Sequence, residues 1–154
     1  EKELCRLDEI YSAVKTPFEI RSGSEKVTRR FFKICNNGQE SFTGLYKSLT
    51  EQGICKGHQC IAYGLYMRDN GIELSEGLAV YGYSICSAIV TNCVKLVPLS
   101  QLAGQKILGE SFELISSASE KALFTDINDI GISGAGFDLR AMQHERLYSR
   151  QYMS

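Results

Sequence analysis

The sequence lacks tryptophan, contains only two prolines and carries no excess of either charge. Two prolines exclude a proline-rich linker, and 14 glycines without a Gly-X-Y period exclude a collagen-like chain. Lys and Arg number 17 against 18 Asp and Glu, so the formal net charge is −1. That balance argues against a protein that coats nucleic acid or an anionic membrane. The 154 residues, 44% hydrophobic and 23% charged, are typical of a globular domain with its own core.

The six cysteines are below the density of a small disulfide-stapled secreted domain. The chain opens with charged residues and no apolar run typical of a signal peptide. We therefore predict reduced thiols in a cytoplasmic protein. Two of the thiols are expected to be buried in an apolar helix, where free cysteine behaves as a small hydrophobic residue. These two are Cys86 and Cys93.

Apolar residues recur at three- and four-residue intervals, which predicts helices almost throughout. The first helix is expected to end before Pro17, and the run Ser22-Gly23-Ser24 is expected to break the chain. Alternation long enough for a strand is hard to find. The prediction is an all-α fold, a single-domain helical bundle over residues 1–125. Residues 126–154 are expected to form a glycine-containing linker and a C-terminal docking tail.

The segment from Leu78 to Val97 is the longest apolar stretch, and Lys95 is its only charge. Its length of about 20 residues matches a bilayer span. However, Ser84, Ser87, Thr91 and Lys95 fall on one polar stripe, and no tryptophan is present as an interfacial anchor. We therefore predict a long central helix, buried in the bundle, rather than a membrane span.

Cys55, His58 and Cys60 lie within six residues and carry ligand types that suit zinc or nickel. The set lacks a fourth ligand nearby, so it is a weak metal candidate. The favoured interpretation places Cys60 in the core and His58 at the start of a helix.

Other patterns do not point to catalysis. No nucleophile elbow is present, and the spacing of Gly131, Gly134 and Gly136 fits neither a dinucleotide nor a P-loop fingerprint. Carboxylate pairs such as Asp8 and Glu9 are interpreted as solvated faces. The last residues instead mix Arg with aromatic and apolar side chains, including Leu139 and Met153, which favours a segment that docks on a partner and orders on binding.

Two segments carry a resemblance to a known family. Lys95 to Gln105 resembles the R-x-[IV]-P-L-G-Q-x-x-G-Q signature of the urease accessory protein UreF family. Met142 to Arg150 resembles the C-terminal M-x-H-E-x-x-Y-S-R of the same family. The resemblance covers residues 57–154 well and is diffuse over residues 1–55. Two departures are Ser100, where many relatives have Gly, and Ala103, near which many have Asp.

The resemblance implies an all-helical, non-catalytic chaperone and scaffold of urease metallocentre assembly. Such a protein binds the accessory protein UreD (UreH in some bacteria), recruits the GTPase UreG and serves nickel insertion into apo-urease. It implies a cytoplasmic homodimer that binds no cofactor of its own, with no nucleic-acid or membrane partner. It also implies that this chain is the C-terminal part of a longer protein.

The resemblance also assigns site residues. The C-terminal motif and its neighbours imply partner binding by His144, Glu145, Tyr148, Ser149, Arg150, Met142, Leu147 and Tyr152. The upstream signature implies a subunit or GTPase-facing surface at Pro98, Gln101, Gly104 and Gln105. One alternative is a GTPase-activating regulator of UreG that uses an exposed arginine, with Arg29, Arg30 and Arg68 as candidates. A less favoured alternative is a nickel-binding protein that uses Cys55, His58 and Cys60.

Overall fold

The computed structural model describes residues 1–35, 38, 40–131 and 134–148. These residues form helices and contain no β-strand, which confirms the all-α prediction. A 3-10 turn at Ile127–Asp129 precedes the last helix. The α-helices are α1 (Lys2–Val14), α2 (Phe18–Ile34), α3 (Phe42–Glu51), α4 (Gln59–Asp69), α5 (Leu74–Leu96), α6 (Gln101–Glu110), α7 (Phe112–Ala122) and α8 (Ala135–His144).

Helix α2 differs from the prediction because it runs without interruption through Ser22-Gly23-Ser24. A glycine inside a helix costs only about 1 kcal/mol relative to alanine, so packing can override it. Here the buried Thr28 lies one turn beyond, and Ser24 Oγ accepts a hydrogen bond from the Gln59 N–H at 3.0 Å. Tertiary contacts therefore hold this segment helical.

The chain divides into two compact units. The first unit comprises residues 1–69 and the described residues from Ile127 onward, and the second comprises residues 70–126. In the first unit α4 packs on α2 and α3, and α8 packs on α2. In the second unit α5 packs on α6 and α7. The boundary between a bundle and a tail at residues 125 and 126 stays a prediction.

The core of the first unit is a cluster of five buried residues. Phe32 and Tyr46 contact edge to face, with ring centroids 6.0 Å apart, so α2 and α3 meet through an aromatic pair. The five residues are Phe32, Tyr46, Leu49, Cys55 and Ala62.

Helix α5 confirms the predicted long apolar helix but not its burial. Of its residues only Gly77 is buried, and Cys93 is exposed. The reason is that α6 and α7 are its main neighbours and leave much of its surface uncovered. Its most apolar 18-residue window has a mean hydropathy of 1.4 and is 6% buried. By length and composition alone α5 could cross a membrane. One such helix is weak evidence for a membrane span, because core helices of soluble proteins share these properties.

Candidate functional site

The C-terminal segment is fastened to the beginning of α2. Helix α2 begins after Pro17 and has no side-chain cap of its own, which leaves backbone N–H groups without helical partners. Glu145 supplies the acceptor, because its Oε1 takes a hydrogen bond from the Phe18 N–H at 2.9 Å. A carboxylate at a helix N-terminus is also favoured by the helix dipole.

The neighbouring residue of the motif makes a second contact with the same helix end. His144 Nδ1 lies 2.5 Å from Glu19 Oε2, and both side chains are partly buried. Two consecutive residues, His144 and Glu145, thus hold the end of α8 against the first turn of α2. We call this pair of contacts the α2 clasp.

Beyond the α2 clasp the chain turns its side chains to solvent. Leu147 is 51% exposed and Tyr148 is fully exposed. Phe18, whose N–H is capped by Glu145, is 61% exposed. Large apolar side chains in water indicate a protein-binding surface where they form a contiguous patch.

The structure thus divides the eight predicted partner-binding residues. His144 and Glu145 contact α2, Met142 is partly buried, and Leu147 and Tyr148 are available at the surface. The remaining three, Ser149, Arg150 and Tyr152, lie outside the described residues. A partner-binding role for the set stays a prediction.

The upstream signature lies where α5 passes into α6. A Cβ on Gly104 would lie 2.7 Å from Val94 Cγ2, so only glycine lets α6 approach α5 this closely. Pro98, Gln101 and Gln105 are exposed. Ser100 caps α6, since its Oγ accepts a hydrogen bond from the Ala103 N–H at 3.1 Å.

A groove of about 460 Å³ runs along this signature. Gln101 and Gln105 line it from α6, and Val90, Val94 and Lys95 line it from α5. Gly104 therefore shapes the groove, whereas the two glutamines present amide groups beside it. The expected subunit or GTPase-facing role of these residues stays a prediction.

The weak metal candidate is not assembled. Cys55 Sγ lies 3.8 Å from Cys5 Sγ, and burial raises the pKa of the Cys55 thiol to about 12. Among the described residues no group of three or more His, Cys, Asp or Glu side chains could hold a metal ion.

His58 has a structural environment instead. It is fully buried, its Nε2 is hydrogen-bonded to Ser12 Oγ at 2.7 Å, and its ring lies 4.7 Å from the Tyr11 ring. Burial lowers the pKa of His58, although the nearby Asp8 carboxylate opposes this. Helix α4 begins at the next residue, as the favoured interpretation predicted.

The interpretation of Asp8 as a solvated carboxylate is wrong. Asp8 is 2% exposed and accepts hydrogen bonds from Tyr46 Oη at 2.6 Å, Lys56 N at 2.7 Å and Gly57 N at 3.0 Å. Tyr46 Oη in turn accepts a hydrogen bond from His58 N at 2.7 Å. We call these residues the Asp8 network. It fixes the loop before α4 against α1 and α3.

The three candidate arginines differ in their surroundings. Arg29 pairs with Glu25 at 3.4 Å, and Arg68 lies over the Phe42 ring, 4.2 Å from its centroid. Arg30 is exposed on α2. A role of any of these arginines toward a GTPase stays a prediction.

Comparison with known proteins decides the family. The family model of UreF matches residues 1–111. The chain belongs to the UreF family. It is 34% identical to the urease accessory protein UreF of Actinobacillus pleuropneumoniae serotype 3 (strain JL03), over 98% of this chain and 67% of that protein. It is 35% identical to UreF of Haemophilus influenzae, over 98% of this chain and 65% of that protein.

A more distant relative, UreF of Paenarthrobacter aurescens, is 31% identical over 96% of this chain and 67% of its own length. The chain therefore spans about two thirds of the length of its curated UreF relatives. The match to the UreF model includes residues 1–55, where only a diffuse resemblance was expected, and it ends before the motif from Met142 to Arg150. Its family makes the protein a urease accessory protein.

The Asp8 network of this UreF-family chain was not predicted from the sequence, although a signal was present. Asp8 follows Leu4 by four residues and precedes Tyr11 by three, so it falls on the apolar face of α1. A carboxylate at such a position requires hydrogen-bond donors from elsewhere in the fold. The donors could not be named, because they come from residues 46 to 57.

Proposed function

We propose that this protein is a non-catalytic scaffold that binds UreD (or UreH), recruits the GTPase UreG and so serves nickel insertion into apo-urease. It works in the cytoplasm as a homodimer and binds no cofactor of its own, nickel being the cargo of the assembly. Its partners are proteins rather than nucleic acid or membrane. A scaffold of this kind acts through its different affinities for the states of its partners.

The observation that carries the proposal is the combination of a fixed and an exposed part in one short segment. The α2 clasp anchors His144 and Glu145, and Leu147 and Tyr148 follow directly with large exposed side chains. Tyrosine is enriched at binding hot spots because it offers a large amphipathic surface. Anchoring also lowers the entropy that binding must overcome.

The proposal assigns separate roles within the motif. His144 and Glu145 position the segment on α2, and Leu147 and Tyr148 contact UreD. Ser149, Arg150 and Tyr152 extend that contact. Met142, a partly buried residue of α8, stabilises the position of that helix. The groove beside Gln101 and Gln105 serves a different contact, with a second subunit or with UreG.

The experiment is light scattering after size exclusion, with this chain alone and mixed with UreD. The test variant is Leu147→Ala with Tyr148→Ala, which leaves the α2 clasp intact. The matched control is Ile34→Ala with Ile54→Ala, because both side chains are exposed and belong to the first unit. We expect a larger complex with the parent and the control, and its loss with the test variant, at unchanged helicity.

Retention of the complex by the Leu147 and Tyr148 variant would contradict the assigned contact. Deletion of Met142 to Ser154 is a less clean test, because it also removes the cap of α2. A folded parent chain that gives no complex with UreD would count against the scaffold proposal for the protein of this sequence.

A further inference from the structure

Helices α2 and α3 of the first unit border a cleft whose rim is basic. The cleft has a volume of about 380 Å³, and Arg29, Lys33 and Lys47 line it together with a single carboxylate, Glu51. Three cations and one anion give the rim a formal charge of +2, whereas the whole chain carries −1. The cleft thus stands out against an otherwise slightly acidic molecule.

The cationic groups of this cleft are only partly neutralised within the chain. Arg29 pairs with Glu25 at 3.4 Å, a contact that orients the guanidinium along α2. Lys33 and Lys47 make no ion pair with any residue that the structure describes within 4.0 Å. Glu51 is the one carboxylate that lines the cleft beside the two ammonium groups, so a ligand with carboxylates would supply the further negative charge that balances them.

The floor of the cleft indicates which kind of anion fits. Phe32, which is 5% exposed, and Thr50 form it, and the Thr50 hydroxyl already donates to the Tyr46 carbonyl at 2.8 Å. Helix N-termini and glycine-rich loops bind phosphate through convergent backbone N–H groups, whereas the lining here consists of side chains on the bodies of two helices. Glu51 repels negative charge placed beside it, which an extended peptide can avoid by the spacing of its carboxylates and a compact polyanion cannot.

We propose that the cleft between α2 and α3 docks an acidic protein segment, whose carboxylates pair with Lys33 and Lys47 and whose aliphatic stems lie over Phe32. Its lining residues belong neither to the α2 clasp nor to the groove along α6. The proposal goes beyond the proposed function, since it requires neither UreD nor the C-terminal segment.

The test is fluorescence anisotropy with the full 154-residue chain and a labelled octaglutamate peptide. Lys33→Glu with Lys47→Glu is expected to weaken binding about tenfold or more, because like charges then face the peptide. The matched control, Lys2→Glu with Lys121→Glu, makes the same change of net charge at exposed residues that do not line the cleft and is expected to stay within about twofold. Raising NaCl from about 50 to about 200 mM should weaken the parent complex.

Lys33→Gln with Lys47→Gln keeps the test valid if charge reversal impairs folding, and a loss of about threefold is then expected. Absence of saturable binding by the parent overturns the proposal, as does an equal loss in the test and control variants. Displacement of the peptide by pyrophosphate at lower concentration than by tetraglutamate would identify a phosphate site and also overturn it.

Discussion

The two units of the chain differ in how many of their apolar side chains are buried. In the first unit buried apolar residues surround four buried polar ones, Asp8, Thr28, Thr43 and His58. In the second unit, whose residues 70–126 are all described, Leu108 and Ile115 are the only large apolar side chains that are buried. Yet the second unit contains α5, the most apolar long helix of the chain.

The difference teaches that hydrophobicity predicts a need for burial but not the element that provides it. Fourteen large apolar side chains of the second unit are exposed. They are Ile72, Leu74, Val80, Tyr83, Ile85, Ile89, Leu96, Val97, Leu102, Ile107, Phe112, Leu114, Leu123 and Phe124. Folding stability within the chain should therefore reside mainly in the first unit.

The largest effect is expected from the centre of the first unit. Asp8→Ala removes the acceptor of three hydrogen bonds, and two of the donors left without it, Tyr46 Oη and the Gly57 N–H, are buried. We expect a loss of about 4 kcal/mol in the free energy of unfolding, since each unsatisfied buried donor costs about 1–3 kcal/mol. Urea unfolding followed by circular dichroism measures it.

Glu9→Ala is the matched control for Asp8, because it removes a neighbouring carboxylate that is exposed on the same helix. Its expected effect is within about 0.5 kcal/mol. Equal effects of the two substitutions would mean that the Asp8 network does not hold the first unit together.

A direct comparison of the units uses one leucine from each. Leu49 is 3% exposed in the core of the first unit, and Leu114 is 72% exposed on α7. Leu49→Ala should cost about 3 kcal/mol through lost burial and a residual cavity. Leu114→Ala should change the free energy of unfolding by less than about 0.5 kcal/mol. A large cost for Leu114 in thermal or urea unfolding of the isolated chain would show that α7 is covered in solution.

The contrast between the two units also shows which features of the fold the sequence predicts. Periodicity located α5 within four residues at its start and one at its end, because helix formation depends on local spacing. The burial of α5 was predicted wrongly, because burial depends on neighbours that are far apart in the sequence. The helical path of α2 through Gly23 was missed for the same reason, since Ser24 is held by Gln59.

The candidate site shows a similar limit. The family motif identified the C-terminal segment as a candidate for docking. Leu147 and Tyr148 of this segment are exposed. The inward contacts of His144 and Glu145 could not be foreseen, because their partners, Glu19 and Phe18, lie 125 and 127 residues away. No local pattern contains that information.

A smaller effect is expected at the loop that the Asp8 network fixes. Gly57 has a φ of +87°, and an added Cβ would lie 2.7 Å from Thr50 Cγ2. Gly53 has a similar φ of +76° but open space around it. Gly57→Ala should cost about 2–3 kcal/mol from backbone strain and steric overlap, and Gly53→Ala about 1 kcal/mol from strain alone. Equal melting temperatures for the two variants would contradict the close contact with Thr50.

The smallest expected effect is a pH dependence confined to the first unit. The pKa of His58 lies below its ordinary value of 6.5 because burial disfavours the imidazolium. Above pH 6.5 the imidazole is neutral in both the folded and the unfolded chain, so its contribution to stability is fully present. As the pH falls below 6.5 the unfolded chain takes up a proton first, and stability falls by at most about 1.4 kcal/mol per pH unit until the folded-state pKa is reached.

Urea unfolding between pH 7.5 and 5.5 measures the slope, with His144→Gln as the control that should retain it. An NMR titration in which His58 protonates at or above pH 6.5 would refute the lowered pKa of His58, because burial disfavours the charged imidazolium.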